Sequence, residues 1–180
     1  MNKKKTITTV LAFLIMIAGF LALAFNLTHY EITFFGTTVE EGANGFSVMS
    51  EYPAILEDIG GWLCAYSIIS IVCYAIMLVL FAIMTLRKSV HLNKVCIATT
   101  ITSIVLTLIY MINGFATNSI VKEELIDTEL YSFAKLNSAS FIPFIIVAVL
   151  AIAYIAAAKL LPENNNNTAE EAKTEETAEK

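Results

Sequence analysis

The sequence predicts an all-α integral membrane protein: a four-transmembrane-helix bundle with a small extracytoplasmic β-hairpin in its first loop. Three observations predict it. Of the 180 residues, 57% are hydrophobic and only 15% are charged, where soluble domains carry about 25% charged residues. The charges crowd between four long windows that hold almost none, and each window is near the roughly 20 apolar residues needed to cross a hydrocarbon core. Finally, Lys3, Lys4, Lys5, Arg87, Lys88, Lys94 and Lys159 gather at one set of window ends, while acidic residues occupy the other set and the C-terminal tail.

Residues 1–6 form a basic head. The run 7–27 is the first span. Its basic start and the Ala22-x-Ala24 pair also suit a secretory signal with cleavage near Ala24. However, the apolar stretch exceeds the roughly 7–15 residues of a signal core, so a retained span or signal anchor is expected.

The first loop, 28–58, carries six carboxylates and no Lys or Arg. A β-branched and aromatic run, Tyr30–Val39, precedes the turn-rich Glu40–Gly45 and then Phe46–Met49, which predicts a hairpin turning at 40–45. Ser50 and Pro53 resemble a helix start. The second span, 59–86, is long enough to tilt or project, and Trp62 and Tyr66 suit an outer aromatic belt. Residues 87–94 form a basic turn, so short that the second span and the third, 95–115, must be antiparallel neighbours.

In the second loop, 116–140, Ile126, Leu130 and Phe133 recur at helical spacing, with Val121 and Leu125 on the same face. That predicts an amphipathic helix on the membrane surface or against the first loop. The fourth span is 141–161, with Ser138 and Ser140 as candidate caps and Pro143 in the first turn. The Asn- and Glu-rich tail, 162–180, is expected to be disordered.

Positive residues stay cytoplasmic. Seven lie on the side of the 87–94 turn and two in the larger loops, so both termini are expected inside a plasma membrane and both larger loops outside.

No ionisable residue lies in the middle of a span, which argues against a proton-coupled pump. Two hydroxyl stripes stand out instead: Tyr66, Ser70 and Tyr74 in the second span, and Thr99, Ser103, Thr107 and Tyr110, ending at Gly114, in the third. Such stripes mark helix–helix contact or, alternatively, a polar conduit. The first loop offers Tyr30, Phe34, Phe35 and Phe46 as an outer contact surface. His29 and His91 lie on opposite sides, and no nucleophile–base, metal or phosphate motif occurs, so no catalytic residue, metal or cofactor is expected. No basic field suits nucleic acid.

Four spans, internal termini and a larger β-containing first loop resemble claudin-type tetraspan proteins in topology. That family's first loop carries a tryptophan and a cysteine pair, whereas here Trp62 lies at the second span and 28–58 holds no cysteine. The resemblance implies no site residues. The expectation is a multi-pass, non-enzymatic accessory, scaffold or envelope component in the lipid bilayer. It would meet a membrane-protein partner or another copy of itself through its outer loops. The alternative is a channel or small-solute carrier lined by the stripes.

Overall fold

A computed structural model describes residues 3–50, 54–87 and 91–161. The chain is mostly helical. Its four long helices are α1 (Lys3–Leu21), α2 (Glu57–Leu86), α3 (Leu92–Asp127) and α4 (Phe141–Leu160). All are long and apolar enough to cross a membrane, α1 together with the 3-10 turn Ala22–Ala24 that continues it. The strands β1 (Asn26–Phe34), β2 (Thr37–Asn44) and β3 (Ala134–Asn137) form one antiparallel sheet in the order β2-β1-β3. Helix α3 is the hub: it packs against the other three helices and carries β1 on its far end.

The helices do not stop where the apolar windows stop. A window measures how much chain suits hydrocarbon, whereas a helix continues until its backbone is turned away. Helix α1 already starts at Lys3, and Asn26 and Leu27, expected in the first span, belong to β1. Helix α3 begins at Leu92, inside the expected 87–94 turn. It also absorbs the first half of the second loop. The expected separate amphipathic helix is therefore twelve further residues of α3, 116–127, with Val121 and Leu125 buried. At 36 residues α3 is about 54 Å long. It ends in a Schellman motif: Leu130 N–H donates to Leu125 C=O, Glu129 N–H donates to Ile126 C=O, and Glu129 takes φ +59°. The chain then reverses through a 3-10 turn, Tyr131–Phe133, into β3.

The hairpin exists, but it turns elsewhere and has a third strand. The turn is Phe35-Gly36, with φ of +47° and +79°, the two successive positive φ values of a type I′ hairpin. Residues 40–45, expected as the turn, mostly lie in β2, and in place of a strand over 46–49 the chain makes a 3-10 turn, Ser47–Met49, with Phe46 at its N-cap. The favoured turn signal is Asn-Gly or Asp-Gly, and Phe-Gly hides it. Ser50 closes that 3-10 turn by donating to Ser47 C=O and does not cap α2. Ser140 stands at the N-cap of α4 without making a capping bond. The expected helix start at 51–53, the middle of the basic turn at 88–90 and the tail 162–180 lie outside the described residues.

Two apolar clusters fill the interior. One lies under the sheet, where Leu23, Leu27, Tyr30, Val48, Leu56, Tyr110, Val121 and Leu125 meet. The other lies toward the opposite ends of the helices, where Ala12, Ile15, Phe81, Leu92, Cys96, Val147, Ala151 and Tyr154 meet.

Candidate functional site: the sheet headpiece and the hydroxyl seam

The stripe residues meet in space. Tyr66, Ser70 and Tyr74 on α2, and Thr99, Ser103, Thr107 and Tyr110 on α3, are all buried. Their periodicity puts them on one face of each helix, and the antiparallel pairing of α2 and α3 brings the faces together. Tyr66 Oη donates across the seam to Leu106 C=O at 2.5 Å, and the Tyr66 and Tyr110 rings lie 6.3 Å apart. Tyr74 faces Ser103 across the same seam. Thr107 returns its hydroxyl to Ser103 C=O on its own helix at 2.8 Å. The hydroxyls of Ser67, Ser70, Ser103 and Tyr74 are buried with no partner at hydrogen-bonding geometry.

The stripe also runs further than the apolar window suggested. Thr117 continues it past residue 115 and Asn113 joins it within the window, and Asn113 Oδ1 accepts from Trp62 Nε1 at 3.1 Å. The repeat Thr107, Tyr110, Gly114, Thr117 was the available signal; it crosses the end of the apolar window at 115. At Gly114 the reason for glycine is direct: a Cβ there would overlap the side chain of Ser140, at the start of α4. Gly19 plays the same part in α1, where a Cβ would overlap the Tyr74 hydroxyl.

Tyr110 is the post that joins seam to sheet. Its hydroxyl donates to Phe25 C=O at 2.5 Å and accepts from Gly45 N–H at 3.0 Å. It thus holds both the entry to β1 and the exit from β2. Ser138 Oγ donates to Leu27 C=O at 2.6 Å, and Ala139 N–H donates to Asn26 C=O at 3.0 Å, which tie the β3 end to the same place.

Of the four residues expected to form an outer contact surface, two face inward. Tyr30 is buried and donates to Glu41 Oε2 at 2.5 Å. Burial first, and then the hydrogen bond and charge of Glu41, hold its phenol well above the ordinary value of 10. Phe46 packs half-buried on the core under the sheet. Phe34 and Phe35 stay open, Phe35 at 93% exposure. They stack edge-on at 4.4 Å, and Phe133 joins Phe34 at 5.7 Å. Reading the loop by residue type alone missed Phe133, because its partner strand was hidden in an apparent helix pattern. On the opposite face of the sheet, Glu31 lies between His29 at 3.4 Å and Lys135 at 3.7 Å.

Among the described residues no three or more His, Cys, Asp or Glu side chains are grouped to hold a metal. An apolar cleft of about 310 Å³ opens between α1 and α2, lined by Met16, Ile17, Phe20, Ile71, Tyr74, Ala75 and Leu78. No family model, curated protein or solved structure matches the chain.

Proposed function

We propose that the chain is a four-span plasma-membrane protein with both termini cytoplasmic, acting by contact through its outer sheet as an accessory, scaffold or envelope component. The membrane reading is supported by an inverted distribution of side chains. Val10, Leu14, Ile69, Val72, Ile76, Ile101, Val149 and Ile152 point outward, while the helix interfaces collect Thr, Ser and Tyr. Water would penalise that outer surface and hydrocarbon does not. The orientation rests on the lysines and arginines of the head, the 87–94 turn and Lys159.

The observation that carries the contact reading is the exposed aromatic cluster of Phe34, Phe35 and Phe133. It sits at the tip of a hairpin braced by α3, at the far end from the basic turn. An apolar, solvent-facing tip costs solubility and is a mark of an interaction surface. The experiment places a photo-crosslinking amino acid at Phe35, and at lipid-facing Val149 as control, in intact membranes. The expected result is one defined adduct from position 35, absent from 149. Only uncrosslinked monomer from position 35 overturns the reading.

A second reading rests on the unpartnered hydroxyls of Ser67, Ser70, Ser103 and Tyr74: a conduit along the α2–α3 seam. Flux through reconstituted vesicles, lost when Ser70 and Ser103 become leucine, supports it; no flux under any imposed gradient removes it.

A further inference from the structure

The geometry points to the free edge of β2 as a strand-addition site for an extended segment of another protein that alternates apolar and basic residues. This rests on the contact reading above and specifies its mode.

In a two-residue hairpin the residues flanking the turn exchange both backbone hydrogen bonds, and every second pair beyond them does the same. Here the flanking pair is Phe34·Thr37, followed by Ile32·Val39, Tyr30·Glu41 and Thr28·Ala43. The backbone groups of Thr38, Glu40 and Gly42 therefore point away from β1. Strand β3 lies on the other side of β1, and residues 37–42 are all exposed. The usual protections of an edge are proline, charged side chains, a bulge or a very short strand. β2 has eight residues and no proline, its only charges are Glu40 and Glu41, which repel an acidic strand but not a basic one, and the register shift of the hairpin falls at the far end, between Asn26 and Thr28.

The side chains along this edge select the occupant. Glu40 stands opposite Glu31, a destabilising like-charge pair. Glu31 has Lys135 within 3.7 Å and a hydrogen bond with His29, while among the described residues no cation pairs with Glu40. A Lys or Arg on an added strand beside Glu40 would supply the missing charge. On the other face Val39 is 53% exposed, lies on the same side as Phe34 and is flanked on β2 by Thr37 and Glu41, so an apolar residue of the added strand beside Val39 meets an apolar side chain. The surroundings have the same sign, since residues 26–50 and 116–140 hold seven carboxylates and two lysines. A second copy of this chain is disfavoured, because β2 against β2 would bring Glu40 and Glu41 against their own kind. The occupant is a different protein, presenting a strand by β-augmentation.

The experiment uses the full chain in lipid nanodiscs and two synthetic peptides, one alternating Lys and Val, the other Glu and Val. Amide hydrogen exchange is read across residues 37–44. The Lys-Val peptide is expected to slow exchange at Thr38, Glu40 and Gly42, and the Glu-Val peptide is not. Glu40→Lys should weaken Lys-Val binding about three- to tenfold and transfer the preference to Glu-Val. Thr38→Pro removes an outward N–H without touching the β1 ladder and should abolish protection; Glu40→Lys stands as the test if that hairpin does not form. Unchanged exchange with both peptides, or equal protection by both that Glu40→Lys does not alter, overturns the proposal. A Phe35 crosslink found alongside unchanged edge exchange sinks strand addition and leaves the contact reading standing. Absence of both sinks both.

Discussion

Around Tyr110 the chain is held by hydrogen bonds between segments far apart in sequence; around Cys96 it is held by packing. The sheet end joins Tyr110 to Phe25 and Gly45, Ser138 to Leu27, and Ala139 to Asn26. At the opposite end Thr8, Thr9 and Thr100 send their hydroxyls to carbonyls of their own helices, and the helices meet through Ala12, Ile15, Phe81, Val147 and Ala151. The difference follows from the surroundings. Helices in hydrocarbon gain little from hiding apolar surface from one another and depend on close fit. At the sheet end the backbone leaves the helix and needs partners for its N–H and C=O groups. A two-stranded hairpin is marginal by itself and β3 adds only four residues, so the sheet uses α3 as a buried wall and Tyr110 as an anchor. Fit and anchoring can be broken separately.

The largest effect should come from Gly114→Ala. The added Cβ falls on the Ser140 side chain, and relieving such an overlap by shifting backbone costs about 1–3 kcal/mol. Gly61→Ala is the matched control: nothing lies near its Cβ, so it should be neutral or stabilise by up to about 1 kcal/mol through helix propensity. Thermal unfolding in detergent reads both. Ser140→Gly should rescue Gly114→Ala in a double-mutant cycle; without rescue, the close approach of α3 and α4 is not what the glycine serves.

Next is Tyr110→Phe, which leaves the buried Gly45 N–H without its acceptor and takes a donor from the half-buried Phe25 C=O. An orphaned buried group costs about 1–3 kcal/mol. Amide exchange should accelerate at Gly45 and through β1, while the α4 amides around Val147 stay protected. Ile15→Val is the counterpart at the opposite end, costing about 0.5–1.5 kcal/mol with headpiece exchange unchanged. Uniform acceleration from Tyr110→Phe would mean that the two ends form one cooperative unit.

The same contrast explains what the sequence revealed. The four helices were legible because hydrocarbon imposes one crude rule, about 20 apolar residues, that composition satisfies visibly. The stripe of Thr99, Ser103, Thr107 and Tyr110 was legible as a face for the same reason of simple period. The headpiece was not, because its register rests on single local choices: Phe35-Gly36 in place of an Asn-Gly turn, and Glu129 in place of glycine at the end of α3. Lys135 and Leu136 sit in a four-residue strand, too short for alternation to outweigh the helical spacing of Leu130 and Phe133 just before it. Tyr30 and Phe46 looked like surface aromatics because residue type carries no information about which side of a strand faces α3.

The Tyr30–Glu41 pair gives a smaller effect with a pH signature. Its phenol is held above the ordinary value of 10 in the folded protein, so its contribution is complete below pH 10. Above that pH the unfolded chain ionises first and binds fewer protons than the folded one, and stability falls as pH rises. Circular dichroism melts at pH 9, 10 and 11 should show a steeper decline for the wild type than for Tyr30→Phe. Parallel curves would show that Tyr30 is as easily ionised as an unfolded tyrosine.

The smallest effect belongs to Lys135→Ala. Lys135 Nζ lies 3.7 Å from Glu31 Oε2, and its side chain is 77% exposed. Exposed pairs contribute about 0.2–1 kcal/mol, and water and salt push this one toward the bottom of that range. Glu31 also keeps His29 at 3.4 Å on its other oxygen, so losing the lysine does not strand the carboxylate. A Lys135→Ala/Glu31→Gln cycle should therefore return a coupling below about 0.5 kcal/mol that shrinks further in high salt. A larger, salt-resistant coupling would mean that the polar face of the sheet is shielded from water, and the headpiece would then owe part of its anchoring to charge as well as to Tyr110 and Ser138.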